Sequence, residues 1–339
     1  MMEELASRAV PLEWIEKTYL FAVNLGRIEF GKIPLRTRQL WTAFPASLNH
    51  EQLPLVNKRD IDGVDAVYIP GFPFSRNVPV LQFPPGMIQY MSWSDIRFLI
   101  SISGTFSDYL QSRSPNTREQ LNRKTRRWRA LVQGEPAIKE FRGATQMREF
   151  YLIASPLSQK TWQAKIGAKL EEIDRPEDLL RMAAADQARG YILFCGDRAA
   201  AFQLCYVQGT TIVTSQTGFD PDFAGFSPGT NLLYLLLEKL FAEREMEFLD
   251  LMEGTAFRYK ASFGTLRVPS KRFLYFRRSP GTLSFILFVA SLKKLETASQ
   301  LAKRVVHRSP EGVMKPFSSN SNPGRSSVTN DRKRGSDTN

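Results

Sequence analysis

Three groups of residues in this chain have types and spacings suited to chemistry. The run Ser227-Pro228-Gly229-Thr230-Asn231-Leu232 opens an apolar helical pattern directly after a turn. A helix start leaves backbone N–H groups unpaired at the positive end of the helix dipole, so this run is a candidate anion site. The same residues also read as an ordinary start, with Ser227 as an N-cap worth about 1 kcal/mol, proline in the first turn and no ligand. One βα step later come Asp250 and then Tyr259-Lys260. Lys260 can donate to a phosphate or to an oxygen that gains negative charge in a reaction, or simply sit near a helix C-terminus. Asp250 can take a proton, orient an acceptor or cap the Glu253-Gly254 turn, and Glu253 is a second candidate base. Tyr259 either donates a hydrogen bond or packs. The third group is Arg118, Arg123, Lys124, Arg126, Arg127 and Arg129, set on one predicted helix against Glu119 alone. It suits an anionic acceptor or polyanion, with Arg123, Lys124, Arg126 and Arg127 as the contacts, or else it is a solvated face. Trp128 among them either stacks on a base or anchors the helix.

Composition narrows the chemistry. A formal charge of +12 attracts nucleic acid, anionic lipid, acidic proteins and phosphorylated metabolites without choosing among them. Cys195 and Cys205 both fall in predicted strands, and the two histidines, His50 and His307, fall in a loop and near a basic tail. A disulfide framework, a metal site and a histidine-based triad therefore lack raw material. The start Met1-Met2-Glu3-Glu4 is acidic and lacks the apolar core of a secretory signal, which predicts a cytoplasmic protein. The most apolar late segment, Leu283 to Leu292, is far shorter than the roughly 20 residues of a membrane span.

Several elements must position these groups. Residues 11–92 suggest strands and loops, with an early helix over Leu12 to Val23, and Ser94 to Gln111 reads as helical at its start and end around Gly104. Thr117 with Gln120 forms a capping-box start for a helix from Arg118 to Val132, stopped by Gly134. Further helices are expected over Thr145 to Ala154 and from Asp174-Arg175-Pro176 to before Gly190. Period two then takes over: Tyr191 to Cys195, Ala199 to Val207 and Thr210 to Thr217 read as strands joined by Gly196-Asp197 and Gln208-Gly209 turns. A helix Gly229 to Arg244, a strand Glu247 to Leu251, a short helix Thr255 to Ser262 and a strand Lys271 to Phe276 follow. This order predicts an α/β (α+β) fold, a mixed and mostly antiparallel sheet flanked by helices. Gly281 to Val306 is a basic amphipathic helix, suited to an anionic membrane surface or to docking on the protein itself. Residues 308–339 have the composition of a disordered tail.

The ordered run Arg189-Gly190-Tyr191-Ile192-Leu193-Phe194, Ala201-Phe202, Gly218-Phe219-Asp220-Pro221, Ser227-Pro228-Gly229, Asp250-Leu251, Gly254 and Tyr259-Lys260 resembles the GNAT-type acyltransferase family that includes the CelD cellulose-synthesis proteins. That family is distantly related to the FemABX aminoacyl transferases. Ser114 to Leu131 and Ser158-Gln159-Lys160-Thr161-Trp162 fit its middle portion, and coverage runs from about Ile96 to Arg278.

The resemblance implies two GNAT-like halves, a degenerate one over 1–133 and an acyltransferase domain over 134–280, followed by the basic helix 281–307 and the tail. It implies an acetyl or longer acyl group moved from a thioester to an amine or hydroxyl of a cell-envelope or polysaccharide precursor, with no covalent enzyme intermediate and no metal. A splayed strand, here Thr210 to Thr217 with Thr214 and Ser215, would receive the donor's pantetheine arm. Ser227, Gly229, Thr230 and Asn231 would hold its phosphate, while Lys260, with Asp250 and Tyr259, would serve the reacting centre. Acetyl-CoA or another acyl-CoA is the family's usual donor. This loop has fewer glycines than the Q-x-x-G-x-G/A signature of ordinary GNAT enzymes, so an acyl carrier protein or an aminoacyl-tRNA stands beside it as an alternative donor. Nucleic acid enters only with that last alternative, as would a FemABX-type transfer; a non-catalytic scaffold in polysaccharide synthesis is the remaining alternative. The expected location is cytoplasmic, with peripheral contact at the inner face of the membrane compatible with the last helix.

Overall fold

The computed structural model describes residues 14–25, 28–41, 53–134, 136–161, 164, 169–170 and 176–306. His50, Trp162, Asp174-Arg175, His307 and the tail lie outside them. The first two strands, β1 (Trp14–Leu25) and β2 (Ile28–Leu40), form a long antiparallel hairpin. From Trp14 on, the helix expected over Leu12 to Val23 is thus a strand, with Leu12 and Glu13 outside the described residues. Phe21 and Val23 are buried while Leu20 and Ala22 between and beside them face outward, a period of two, and β-branched and aromatic side chains suit a pleated surface.

Next come β3 (Ala66–Pro73), β4 (Leu81–Gln82) and β5 (Met87–Ser101). The helix expected from Ser94 is also strand, because Phe98 and Ile100 bury on one face of the sheet and Arg97 and Leu99 alternate with them. Only after Gly104, at φ 76, does the chain turn into α1 (Phe106–Gln111), capped by Thr105 in a reciprocal box with Asp108. In α2 (Pro115–Val132) the cap is Ser114 rather than Thr117: its hydroxyl accepts from the Thr117 N–H at 3.2 Å. Pro115, with no N–H to lose at the first helical position, moves the start forward by one turn.

The chain continues through β6 (Ile138–Phe141), α3 (Gly143–Gln159), α4 (Pro176–Ala184), β7 (Ala188–Cys195), β8 (Arg198–Gln208) and β9 (Thr211–Phe219). Gly196-Asp197 turns between β7 and β8 as expected. The second turn is Gly209-Thr210, one residue later than the sequence suggests, because Gln208 still pairs with Thr211 and Gly209 takes the positive φ of 58. A 3-10 turn Pro221–Phe226 leads into α5 (Pro228–Glu243), then β10 (Phe248–Glu253), α6 (Arg258–Phe263), β11 (Leu266–Arg277) and α7 (Pro280–Val306).

The strands make one mixed sheet in the order β1-β2-β3-β11-β5-β10-β9-β8-β7-β6, with β4 beside β5. Only β2–β3 and β9–β10 are parallel. β11 enters between β3 and β5, so the sheet is continuous across residue 133. On one face α2 and α5 bring Leu121, Trp128, Leu232 and Leu236 onto Leu193, Ile212 and Leu249. On the other, α3 and α4 cover Ile192, Phe202 and Leu204 with Phe150, Leu157 and Leu179. Further along, α7 docks Ile286, Val289 and Ala290 on Phe21, Tyr90 and Leu274, leaving Leu287 and Phe288 exposed on its outer side. Among the described residues no helix is long and apolar enough to cross a membrane.

Candidate functional site

The parallel strands β9 and β10 stay together for only three residue pairs, Thr211 with Phe248, Ile212 with Leu249 and Val213 with Asp250. Beyond these each strand carries an irregularity. On β9, Cys205 faces Thr214 and Leu204 faces Gln216, which leaves Ser215 as an extra residue. On β10 the register against β5 shifts between Asp250 and Glu253, where Met252 sits at φ 61. Bulges bend a strand and increase its twist. Two of them at the same level drive the strands apart, and the β9–β10 ladder ends at Val213 and Asp250.

At the end of β9 the chain delivers the start of α5. Ser227 is left-handed, φ 55 and ψ 52, and its side chain makes no cap bond. The Asn231 side chain holds the turn instead, its amide donating to the carbonyls of Phe226 and Ser227 at 3.0 and 3.1 Å. Asn231 therefore faces inward and is buried. Pro228 has no N–H, and the N–H groups of Thr230 and Asn231 both turn to the Ser227 carbonyl, leaving Gly229 as the open donor of this turn among the described residues. Nothing comes within 4 Å of a Cβ placed on Gly229 except Phe219, at 4.0 Å.

The basic helix α2 lies beside this turn. Lys124 brings its Nζ to 3.4 Å from the Thr230 hydroxyl, and Arg127 lies 5.8 Å from the Phe226 ring centre. Burial, with the charge of Arg123, lowers the pKa of Lys124. Arg123, Arg126 and Arg127 are exposed, while Trp128 is fully buried against Phe223 and is the anchor of the helix. Thr214 turns into the sheet, where its hydroxyl accepts from the Gln203 amide at 3.2 Å; Ser215, at the bulge, is exposed.

The C-terminal end of β10 carries a buried charged cluster. Asp250 accepts from Arg97 Nε at 2.6 Å and from the Met252 N–H at 2.7 Å. Arg97 also donates to the Gly71 carbonyl at 2.5 Å. Glu253 accepts from Ser270 at 2.9 Å and Arg272 at 3.0 Å. Burial alone would raise its pKa, but the Arg97 and Arg272 guanidiniums outweigh burial and hold it at about 2. Lys260 donates from Nζ to the Glu253 carbonyl at 2.6 Å. Burial pulls its pKa down to about 8, opposed by the charges of Glu253 and Asp250. Tyr259 is 38% exposed, with its ring 6.3 Å from that of Phe257.

Asp250, Glu253 and Lys260 thus meet, as their order along the chain suggests, while Tyr259 stands outside the cluster. Arg97, Gly71, Ser270 and Arg272 come from β5, β3 and β11, distant in sequence. One signal pointed to them: Arg97 interrupts the apolar run Ile96 to Ile100, and a charge inside a buried strand requires a partner. Cys195 and Cys205 are free thiols, and burial pushes Cys205 up to about 12, far from a nucleophile's range. Among the described residues no cluster of three or more His, Cys, Asp and Glu side chains is placed to hold a metal.

Residues 115–261, from the start of α2 to the residue after Lys260, match the acetyltransferase (GNAT) domain family. The open end of the β9–β10 pair, the α5 start and Asp250, Glu253 and Lys260 all lie within the matched residues, while Gly71, Arg97, Ser270 and Arg272 lie outside them. No curated protein matches the chain. Several solved structures are similar to it. The C-terminal DUF2156 domain of a protein assigned as a lysylphosphatidylglycerol synthetase from Agrobacterium fabrum is 11% identical with a TM-score of 0.44, over 77% of this chain and 85% of that one. L-PGS from Bacillus licheniformis is 12% identical with a TM-score of 0.42, over 66% and 71%. An aminoglycoside acetyltransferase from an uncultured soil metagenomic sample is 13% identical with a TM-score of 0.30, over 38% and 84%.

Proposed function

We propose that the chain transfers an acyl group from a thioester donor directly to an amine or hydroxyl. The observation that carries this reading is the divergence of β9 from β10 between two sources of positive charge. Lys124 and the Gly229 N–H stand at the α5 end, and Lys260 at the end of β10. An extended, amide-containing arm laid between the diverging ends of β9 and β10 would enter where their ladder stops at Val213 and Asp250. Its phosphate would fall near Lys124 and Gly229, and its thioester toward the cluster.

Near neutral pH Lys260 carries its proton, since burial brings its pKa only to about 8. From Nζ it would donate to the carbonyl oxygen that becomes negative as the acceptor adds; such donors are typically worth a hundred- to a thousandfold in rate. The acceptor's proton then leaves with the departing thiolate or to water. Asp250 acts here as the counter-charge that holds Arg97, a positioning role. The acceptor class carried by the family resemblance is a cell-envelope or polysaccharide precursor. Peripheral contact with an anionic membrane would have to use the outer side of α7, because Ile286, Val289 and Ala290 are already docked.

The test is a thermal-shift screen of the full chain with acetyl-CoA, a long-chain acyl-CoA, an acylated carrier protein and aminoacyl-tRNA. Mass spectrometry of amine and hydroxyl acceptors is run in parallel. Stabilisation and product with at least one donor support the reading. Neither a shift nor a product with any of them refutes it.

A further inference from the structure

We propose that the acyl group arrives on a small acidic carrier protein, which docks on the exposed arginine face of α2. This rests on the acyl-transfer reading above and specifies its donor. The α5 turn is poor in donors: Pro228 has no N–H, and the Thr230 and Asn231 N–H groups are occupied by the Ser227 carbonyl. What remains, the Gly229 N–H and the half-buried Lys124 ammonium, fits one phosphodiester of the kind that tethers a carrier's prosthetic arm. A free nucleotide thioester presents a pyrophosphate and a further phosphate, which call for more donors than this turn holds.

Charge that the turn lacks is displayed beside it. Arg123, Arg126 and Arg127 are exposed, and none of them meets a carboxylate within 4.0 Å among the described residues. Their spacing of three and four places them on neighbouring positions of one helix surface, over roughly 6 Å of its axis. An acidic helix laid alongside presents carboxylates at the same spacing. The platform is rigid, because Leu121, Thr125 and Trp128 are buried beneath it. Between α2 and α5 a groove of about 530 Å³, lined by Glu119, Asn122, Thr125, Arg126, Arg129 and Tyr234, gives such a partner's side chains a place to enter, with two arginines against one carboxylate.

The same face is less suited to a charged RNA end. Recognition of unpaired bases relies on exposed rings for stacking. The one aromatic residue of α2, Trp128, is 0% exposed, and Tyr234 in the groove is half-buried.

The experiment measures binding of the full chain to immobilised acyl carrier protein, in holo and acetylated forms, at low and high salt. Acetyl-CoA and tRNA are titrated against the same preparation. The comparison is the triple variant Arg123→Glu, Arg126→Glu, Arg127→Glu, with circular dichroism and melting temperature as checks on folding. The expected result is binding of the wild type that weakens with salt. In the triple variant binding falls at least about tenfold at unchanged fold, since each rim pair is lost and replaced by repulsion. Equal carrier binding by the folded variant overturns the proposal. If the variant fails to fold, a wild-type carrier affinity that ignores salt overturns it equally. Stabilisation and turnover with acetyl-CoA without carrier binding overturns the proposal and leaves the transferase reading standing, as does activity with tRNA alone. Failure with every donor removes both.

Discussion

Removing the charge of Asp250 separates a structural from a catalytic role for that residue. The Arg97 and Asp250 side chains are 5% and 0% exposed and meet at 2.6 Å. Asp250→Asn keeps the side-chain shape and the oxygen that accepts from the Met252 N–H, but it leaves a buried guanidinium without its nearest counter-charge. Breaking one partner of such a pair typically costs about 3–5 kcal/mol. The lower end applies here, because Glu253 still opposes Arg97 and the Gly71 carbonyl still accepts from it. Urea unfolding followed by circular dichroism measures the loss. Arg97→Met alone should cost a similar amount by orphaning Asp250, whereas Arg97→Met combined with Asp250→Leu should recover part of it. A coupling of roughly 1–3 kcal/mol is expected between two groups in direct contact. Asp250→Asn with an unchanged unfolding midpoint but abolished transfer would refute the reasoning, because the carboxylate would then be acting on substrate and not on Arg97.

Four further outcomes follow from the same cluster. Lys260→Met should lower transfer by about a hundred- to a thousandfold, read as kcat with donor binding unchanged. Because burial holds Lys260 near 8 and an unfolded lysine titrates near 10.5, the unfolded chain binds more protons between those values. This group's contribution therefore makes stability rise with pH from about 8 to 10.5, and unfolding at pH 7.5 and 9.5 should show a smaller rise in Lys260→Met. Glu253 has the opposite signature: its folded pKa of about 2 lies below its ordinary 4.5, so its stabilisation is complete above 4.5 and fades as pH falls toward 2. Glu253→Gln should lose that part of the acid sensitivity in a melting series from pH 5 to 2. Gly71→Ala should be severely destabilising, since φ is +54 and a Cβ would lie 1.9 Å from Glu253 Oε1. A melting temperature within a degree of wild type would contradict this.

The C-terminal half was largely legible in the sequence, and the reason is local. Tyr191 to Thr217 alternates over three short strands whose glycine turns lie between them, so pattern and turn chemistry agree. The N-terminal half was harder. Tyr19, Phe21 and Val23 alternate, yet Glu16 and Lys17 beside them break the apolar pattern of a strand at its exposed start and let a helical reading compete. Arg97 shows the other limit. Its partners Asp250, Gly71 and Met252 lie on strands that become neighbours only when β11 and β10 pair on either side of β5, which no local signal announces. For the candidate site, spacing alone marked Ser227 to Asn231 and Lys260. It did not show that Asn231 would spend its amide on the turn, or that Lys124 would stand over Thr230.

The turn at Ser227 and the strain at Met252 belong to one arrangement. A non-glycine residue with positive φ costs of order 1–3 kcal/mol and persists only where its surroundings over-determine it. Here two such residues, Ser227 at φ 55 and Met252 at φ 61, close the two strands that diverge, β9 through the 3-10 turn and β10 at its bulge. Each is tied down by a buried polar side chain, Ser227 by the Asn231 amide that donates to its carbonyl, Met252 by Asp250, which accepts from its N–H, and by Arg97, which donates to its sulfur. The parting of the two strands is therefore held by residues of the fold itself. In the transfer proposed above, strands already parted would lower the ordering cost of binding an extended arm, which matters most where, among the described residues, the proposed phosphate site presents the Gly229 N–H and Lys124.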